Sequence, residues 1–154
     1  INASMSVLTG VKQSSTKVFD TFKLVKQQLP SLENIETFIS AQQMGITQLA
    51  IAYCDAAIED STIRSAWFPD INFSQDPSTA LNTTGRAKLL NPLLNKLMPL
   101  NIASQPDKTT VYTELDALIT KLSVCGSRCD SSRTSTITKS TCAAVLASSI
   151  MLIQ

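Results

Sequence analysis

Four cysteines, Cys54, Cys125, Cys129 and Cys142, have the widest range of possible chemistry in this sequence. A zinc site needs four ligands, and a C-x-x-x-C pair with two isolated cysteines and no histidine has poor spacing for one. Haem attachment needs C-x-x-C-H, whereas the C-x-x-x-C pair here has one residue too many and is followed by Asp130. Burial as four free thiols, which behave as small apolar side chains, stays open as an alternative to disulfides.

Two disulfides explain the cysteines best, because their number is even and the chain resembles exported proteins in composition. Four cysteines allow three pairings. Cys125 and Cys129 flank a short loop that contains Gly126, so they can close on each other. That leaves Cys54 to pair with Cys142, and each of these lies in an apolar helical run. We therefore predict that one disulfide links a central helix to the last helix of the chain.

The sequence has no histidine, which removes the commonest general base, the commonest metal ligand and the usual partner of a nucleophilic serine or cysteine. Ser14 and Lys17 fit the S-x-x-K motif of penicillin-binding enzymes, but neither S-D-N nor K-T-G follows. We interpret them as a helix N-cap and a surface lysine. An enzyme that uses carboxylates with Tyr53 or Tyr112 is the weakest hypothesis, and we predict no catalytic residue, cofactor or metal site.

An acidic cluster is formed by Asp55, Glu59 and Asp60, and the first two share one helix face because they are four residues apart. The cluster could bind a hard cation, but a solvated face near a helix end explains it equally well, and we favour that interpretation. Gln42 and Gln43 lie nearby and could contact a ligand. Gln43 is also explained by the S-x-x-Q spacing of a capping box.

An adjacent aromatic pair, Trp67 and Phe68, precedes a proline. We expect this pair to plug a helical core, although a stacking platform for a sugar stays open. Three N-x-[ST] sequences, at Asn2, Asn72 and Asn82, would accept a glycan only if the source is a eukaryotic secretory cell.

The helices that would position these side chains are predicted by apolar residues at spacings of three and four. Predicted helices run from Ser15 to Leu29, Leu32 to Ile39, Ser40 to Asp60, Thr62 to Phe68, Thr84 to Met98, Asp107 to Leu122 and about Ser132 to Ile153. Asp60 and Asp107 are predicted N-caps. Pro92 should kink or split its helix, with Asn91 capping the second half.

The fold class predicted is all-α, a disulfide-stapled single-domain bundle of about six or seven helices. Residues 1–14 lack helical periodicity and are expected to be an irregular lead-in, so the helical domain is expected to span 15–154. Residues 70–83 are the longest stretch predicted to be irregular. No segment has the pattern of a β-strand.

The composition limits the partners and the location of the chain. Its 154 residues suit one domain with a real core. A net charge of +1 with only 16% charged residues argues against nucleic acid and acidic membrane surfaces as partners. The 36 serines and threonines make an uncharged polar surface of a kind common in exported proteins. No apolar run reaches the ~18 residues of a membrane span, and the start at Ile1 suggests a processed product or a piece of a longer chain.

Several segments together carry a resemblance to a known group of proteins. They are LPSLENIETFISAQQMGITQLAIAYCDAAIED, NPLLNKL, IASQPD, the CGSRC loop and KSTCAAVLASSIMLIQ. Together they resemble a helical domain of uncharacterised bacterial exported proteins that often also carry LamG-like (concanavalin-type) domains. The resemblance covers most of residues 7–154 and includes all four cysteines. It implies an envelope or surface location and a modular parent protein, and it assigns no functional residues.

These observations favour a non-catalytic structural or interaction domain of a bacterial envelope or extracellular protein, which could be a subunit of a larger assembly. Expected partners are other proteins or further copies of the chain. The alternative hypothesis is a carbohydrate- or small-ligand-binding module of a surface protein, so a glycan stays open as a partner.

Overall fold

A computed structural model describes residues 1–29, 40–98, 106–126 and 129–153. Over these residues the chain forms eight α-helices and no β-strand, which confirms the all-α prediction. The helices are α1 (Asn2–Thr9), α2 (Thr16–Val25), α3 (Ser40–Glu59), α4 (Ser61–Trp67), α5 (Pro77–Ala80), α6 (Thr83–Leu97), α7 (Lys108–Leu122) and α8 (Ser131–Ile153).

The two longest helices, α3 and α8, pack along each other at the centre of the bundle. Helix α3 also contacts α1, α2 and α4, and α8 also contacts α1, α5, α6 and α7. A helix with neighbours on several sides buries more than one apolar stripe. Accordingly, three consecutive residues are buried in each helix, residues 52–54 in α3 and residues 141–143 in α8.

Side chains that cap helix N-termini define where several elements begin. Asp60 and Asp107 accept hydrogen bonds from backbone N–H groups in the first turns of α4 and α7, as predicted. Asp76 and Asn82 do the same for α5 and α6. An N-cap side chain satisfies N–H groups that have no partner within the helix, and each contributes about 1 kcal/mol.

The prediction of an irregular lead-in over residues 1–14 is wrong for Asn2–Thr9, which forms α1. This helix has only two buried side chains, Met5 and Thr9, so it leaves no apolar stripe in the sequence. It is held from outside by contacts with α3 and α8. It ends at Gly10, whose φ of 75° is in the left-handed region that glycine adopts without strain.

Two further predictions change within the stretch 70–98. The predicted irregular segment contains the short helix α5. Helix α6 is continuous through Pro92, so Asn91 does not start a second helix. An interior proline costs a helix about 3 kcal/mol or more. Buried leucines on both sides of it, among them Leu89, Leu90, Leu93 and Leu97, offset that cost because each contributes roughly 1.5–3 kcal/mol when buried.

Other boundaries agree with the sequence to different degrees. Helix α8 begins at Ser131, one residue from its predicted start. Helix α2 ends at Val25, where the prediction continued to Leu29, and residues 26–28 form a turn. The helix predicted over Leu32–Ile39, the break before Ser40 and most of the linker predicted over residues 99–106 lie outside the described residues.

Among the helices that the structure describes, none is both long enough and apolar enough to cross a membrane.

Candidate functional site

The four cysteines form two pairs at disulfide distance, Cys54 with Cys142 and Cys125 with Cys129. Their Cα atoms are 5.8 Å and 5.3 Å apart, within the usual range for disulfides. Cys54 and Cys142 are both 0% exposed and join α3 to α8. Cys125 is exposed, and its pair closes a loop between α7 and α8. Pairs at this distance suit an oxidising environment.

The Asp55 carboxylate contacts lysines from two other helices. On α3, it lies against the Lys17 ammonium of α2 and 2.8 Å from the Lys139 ammonium of α8. Lys139 also contacts Glu59, one turn further along α3. The Asp55 side chain is 19% exposed, so the predicted solvated face describes Glu59 but not Asp55. Asp55 and Glu59 share a face as predicted, and that face binds α8.

The two lysines change the titration of this carboxyl group. Burial by itself would raise the pKa of Asp55, but hydrogen bonds and charge from Lys139 and Lys17 outweigh it and lower that pKa. Burial would likewise lower the pKa of Lys139, and the carboxylates of Asp55 and Glu59 outweigh it and raise that pKa. Both side chains therefore stay charged over a wider pH range than they would in water.

The Tyr53 hydroxyl, on the residue before Cys54, links α3 to the first helix. It donates to Asn2, whose side-chain oxygen lies 2.7 Å away and whose carbonyl oxygen lies 3.0 Å away. Burial of the phenol raises the pKa of Tyr53 to about 12, although a hydrogen bond with Ser6 opposes the rise. Tyr112, the other tyrosine considered as a catalytic residue, is half-buried against the core. The structure does not bring the two tyrosines to one place with a shared partner.

The residues of the S-x-x-K motif and the two glutamines lie at or near the helices α2 and α3. Lys17 of the S-x-x-K motif contacts Asp55, whereas Ser14 is exposed and Ser15 is the N-cap residue of α2. Gln43 is exposed, and its backbone carbonyl accepts a hydrogen bond from a threonine one turn later. Gln42 is half-buried. The proposed ligand contact of either glutamine stays a prediction.

Trp67 and Phe68 are buried, with ring centroids 5.9 Å apart in an edge-to-face arrangement. They plug the core, as the sequence favours, and the alternative of an exposed stacking platform is wrong for this pair. Phe73 packs on Phe68 with centroids 6.3 Å apart and remains half-buried.

The asparagines of the three N-x-[ST] sequences differ in the number of hydrogen bonds that their side chains form. The Asn2 side chain accepts from Tyr53 through Oδ1 and donates to Gln13 through Nδ2, the nitrogen to which a glycan would be attached. The side chains of Asn72 and Asn82 are exposed, and each accepts one backbone N–H hydrogen bond.

A cleft of about 430 Å³ that no sequence motif marks lies between the end of α3, helix α4 and the first half of α8. Hydroxyl groups line one wall, from Ser131, Ser132, Ser135 and Thr136 of α8. Their spacing places them on one side of the helix. This spacing is the signal that could have located the cleft, but serines and threonines are too common in this chain for it to be recognised.

The opposite wall of the cleft carries charged groups and an aromatic ring. Arg64 donates to the Ile58 carbonyl oxygen at 2.8 Å and lies over the Phe73 ring, 5.4 Å from its centroid. Glu59 of α3 and Lys139 of α8 contact each other and also line the cleft. Hydroxyls, a fixed guanidinium and a carboxylate are groups that bind the hydroxyls of a polyol.

Comparisons of this chain with protein-family models, with curated proteins and with solved structures find no match.

Proposed function

We propose that this chain is a non-catalytic structural and interaction domain of a bacterial protein that works in the cell envelope or outside the cell. One observation carries the proposal. Three consecutive residues of α3 together bond to three neighbouring helices: Tyr53 to α1, Cys54 to α8 and Asp55 to both α2 and α8. The phenol, the sulfur and the carboxylate of these three residues, which could otherwise take part in catalysis or binding, therefore hold the bundle together.

The proposed location is supported by the buried Cys54–Cys142 pair. A disulfide of this kind forms and persists where the surroundings are oxidising, as in the periplasm or outside the cell. The resemblance to exported bacterial proteins supports the same location and a modular parent protein.

The interaction role is supported by large apolar side chains that the bundle leaves exposed. On α3, Met44 is 61% exposed and Ile51 is 53% exposed. They are seven residues apart, which places them on the same face of the helix. Because contiguous apolar patches mark surfaces that bind another protein, this face of α3 is the one that we propose for the contact.

Size-exclusion chromatography with light scattering tests self-association through this face. Over a rising series of concentrations we expect a mass above the 16.6 kDa of one chain. Ile51→Glu should shift the mass toward that of the monomer, because a charge would be buried in the contact. Val124→Glu is the matched control, since Val124 is also exposed but lies after α7. A wild-type monomer at every concentration would contradict self-assembly.

The second candidate function, binding of a carbohydrate, is supported by the hydroxyl-lined cleft. A glycan array followed by thermal-shift measurements on the sugars retained would identify a ligand. Ser135→Tyr should abolish the shift by filling the cleft, whereas Ser140→Tyr, on an exposed position of the same helix, should preserve it. No shift with any sugar would remove this candidate and leave the structural role intact.

A further inference from the structure

The Cys125–Cys129 loop has a third chemical group beside it that the sequence does not predict. Asp76, the N-cap of α5, lies 49 residues before Cys125, and its Oδ1 atom is 3.8 Å from the Cys125 sulfur. One ligand atom each from Asp76, Cys125 and Cys129 lies within 4.8 Å of the other two. Two sulfurs and a carboxylate oxygen form a ligand set that suits Zn²⁺.

The distance between the Cys125 sulfur and the Asp76 oxygen is close to that between two ligands of a tetrahedral zinc site. With Zn–S near 2.3 Å and Zn–O near 2.0–2.2 Å, neighbouring ligand atoms lie about 3.5–3.8 Å apart. The Cys125 sulfur and the Asp76 oxygen already have such a separation. The Cys129 sulfur lies within 4.8 Å of the Asp76 oxygen. The two sulfurs must move apart, which follows when the bond between them is reduced.

The carboxylate is held in position by its own hydrogen bonds. Asp76 accepts from the Thr79 N–H at 3.1 Å and from the Ser78 hydroxyl at 2.5 Å. The residue before it is also anchored, because the Thr134 hydroxyl of α8 donates to the Gln75 carbonyl oxygen at 2.7 Å. Asp76 is thus fixed relative to the helix that follows Cys129. Its Oδ1 atom accepts the bonds from the Thr79 N–H and the Ser78 hydroxyl, and its Oδ2 atom accepts one from the Thr79 hydroxyl at 2.9 Å, so Oδ2 keeps a lone pair for a metal.

The two cysteine pairs differ in how accessible they are to a reductant. Cys54 and Cys142 are fully buried, whereas Cys125 is exposed. Exposed disulfides react with reductants faster than buried ones because the attacking group must reach a sulfur. Mild reduction of the folded protein should therefore open the loop pair and leave the buried pair closed.

We propose that Cys125, Cys129 and Asp76 form a zinc site when the Cys125–Cys129 disulfide is reduced. A water-soluble phosphine supplies two electrons and becomes a phosphine oxide with an oxygen from water, while the disulfide becomes two thiols. Zn²⁺ then replaces the two thiol protons, which are released, and the Asp76 carboxylate is the third ligand. Water occupies the fourth position. The same loop is thus closed by a disulfide when oxidised and by a metal ion when reduced.

After reduction of the Cys125–Cys129 disulfide, the Asp76 carboxylate has opposite effects in the absence and in the presence of zinc. Beside a bare thiolate it is repulsive, because both groups are negative. Beside a bound Zn²⁺ it is attractive, because the ion is then the largest local charge. Zinc therefore stabilises an arrangement that is unfavourable without it.

Zinc titration of the phosphine-treated protein against a chromogenic chelator tests the site, with a thiol assay run in parallel. We expect two thiols and one tightly bound Zn²⁺ per chain after treatment, and none before it. Substituting Co²⁺ should give the absorption bands of tetrahedral thiolate coordination. Release of four thiols, or no zinc binding after reduction, would overturn the proposal.

Variants assign the ligands. Asp76→Asn should weaken zinc binding by about tenfold or more, since it removes a charged ligand but keeps an equally good N-cap. Asp107→Asn, the same change at the N-cap of α7, is the matched control and should bind zinc like the wild type. The Cys125→Ser/Cys129→Ser double variant should bind none. Undiminished binding by this variant or by Asp76→Asn would contradict the assignment.

Discussion

Tyr53, Cys54 and Asp55 each form the type of bond that suits their surroundings. The phenol lies in the core and has a single hydrogen-bonding group, which donates to Asn2. Cys54 is fully buried and forms an apolar covalent link, which has no desolvation cost. Asp55 lies at the edge of the core, where it remains ionised between two lysines. The charged group thus lies at the edge of the core, whereas the fully buried groups are an uncharged hydroxyl with a hydrogen bond and an apolar disulfide.

Tyr53 should ionise only at strongly alkaline pH. Burial raises its pKa to about 12, whereas an unfolded tyrosine titrates near 10. A raised pKa means that the stability Tyr53 contributes is fully present below about pH 10 and is lost as the pH approaches 12. Ultraviolet titration of a Tyr112→Phe variant follows Tyr53 alone, because the chain has two tyrosines. Ionisation near pH 10 while circular dichroism still shows a folded chain would contradict its burial.

Asp55→Asn should destabilise the protein by about 1–2 kcal/mol at neutral pH, because charge-assisted hydrogen bonds to two lysines are weakened. Its lowered pKa adds a pH dependence. The stability it contributes is present above the unfolded pKa of about 3.9 and is lost as the pH falls through the folded value. Urea unfolding over a series of acid pH values should show a smaller loss in the variant. Asp70→Asn, at an exposed position after α4, is the control.

At the scale of elements, α5 approaches α6 closely enough that only glycine fits at one position. A Cβ atom on Gly85 would lie 1.9 Å from the Ala80 carbonyl oxygen, a backbone atom that cannot move alone. We expect Gly85→Ala to destabilise the protein by about 1–3 kcal/mol in thermal or urea unfolding. Gly126→Ala is the control, with nothing within 4 Å of its added Cβ, and should change stability little. Equal stability of the two variants would contradict this packing.

The elements differ in how far the sequence predicts them, for physical reasons. Helix α7 has a capping aspartate and a single apolar face, both local features, and its start is predicted correctly. Helix α1 has neither, because its N-cap residue Ile1 makes no side-chain cap bond and only Met5 and Thr9 are buried. It depends on α3 and α8, which are distant in sequence. Local pattern therefore cannot reveal it.

The hydroxyl-lined cleft and the cluster of Asp76 with Cys125 and Cys129 cannot be predicted from local sequence patterns either, because their residues are far apart in the sequence. Phe73 reaches the cleft from a loop, and Ser135 reaches it from a helix more than sixty positions later. Asp76 meets Cys125 across 49 positions. By contrast, the short spacing of Cys125 and Cys129 favours closure between these neighbours, and the remaining pair is the one that the structure places at disulfide distance.

For the whole molecule, the long disulfide should contribute more stability than the short one. Cys54 and Cys142 are 88 positions apart and Cys125 and Cys129 are 4 apart. The chain-entropy model gives about 4–5 kcal/mol for the long loop and about 2 kcal/mol for the short one. Urea unfolding of Cys54→Ala/Cys142→Ala and of Cys125→Ala/Cys129→Ala should show that order. Equal losses would mean that the long link does not constrain the unfolded chain.

The bundle depends most on Cys54, which links α3 to α8 at its centre. Mass spectrometry of a non-reduced tryptic digest tests this link most directly. Trypsin cuts after Arg64, Arg128 and Lys139, so the four cysteines fall on four different peptides. We predict that the Cys54 peptide is joined to the C-terminal peptide that carries Cys142, and that the Cys125 and Cys129 peptides are joined to each other. A peptide that joins Cys54 to Cys125 or Cys129, or a Cys54 peptide with a free thiol, would contradict the account.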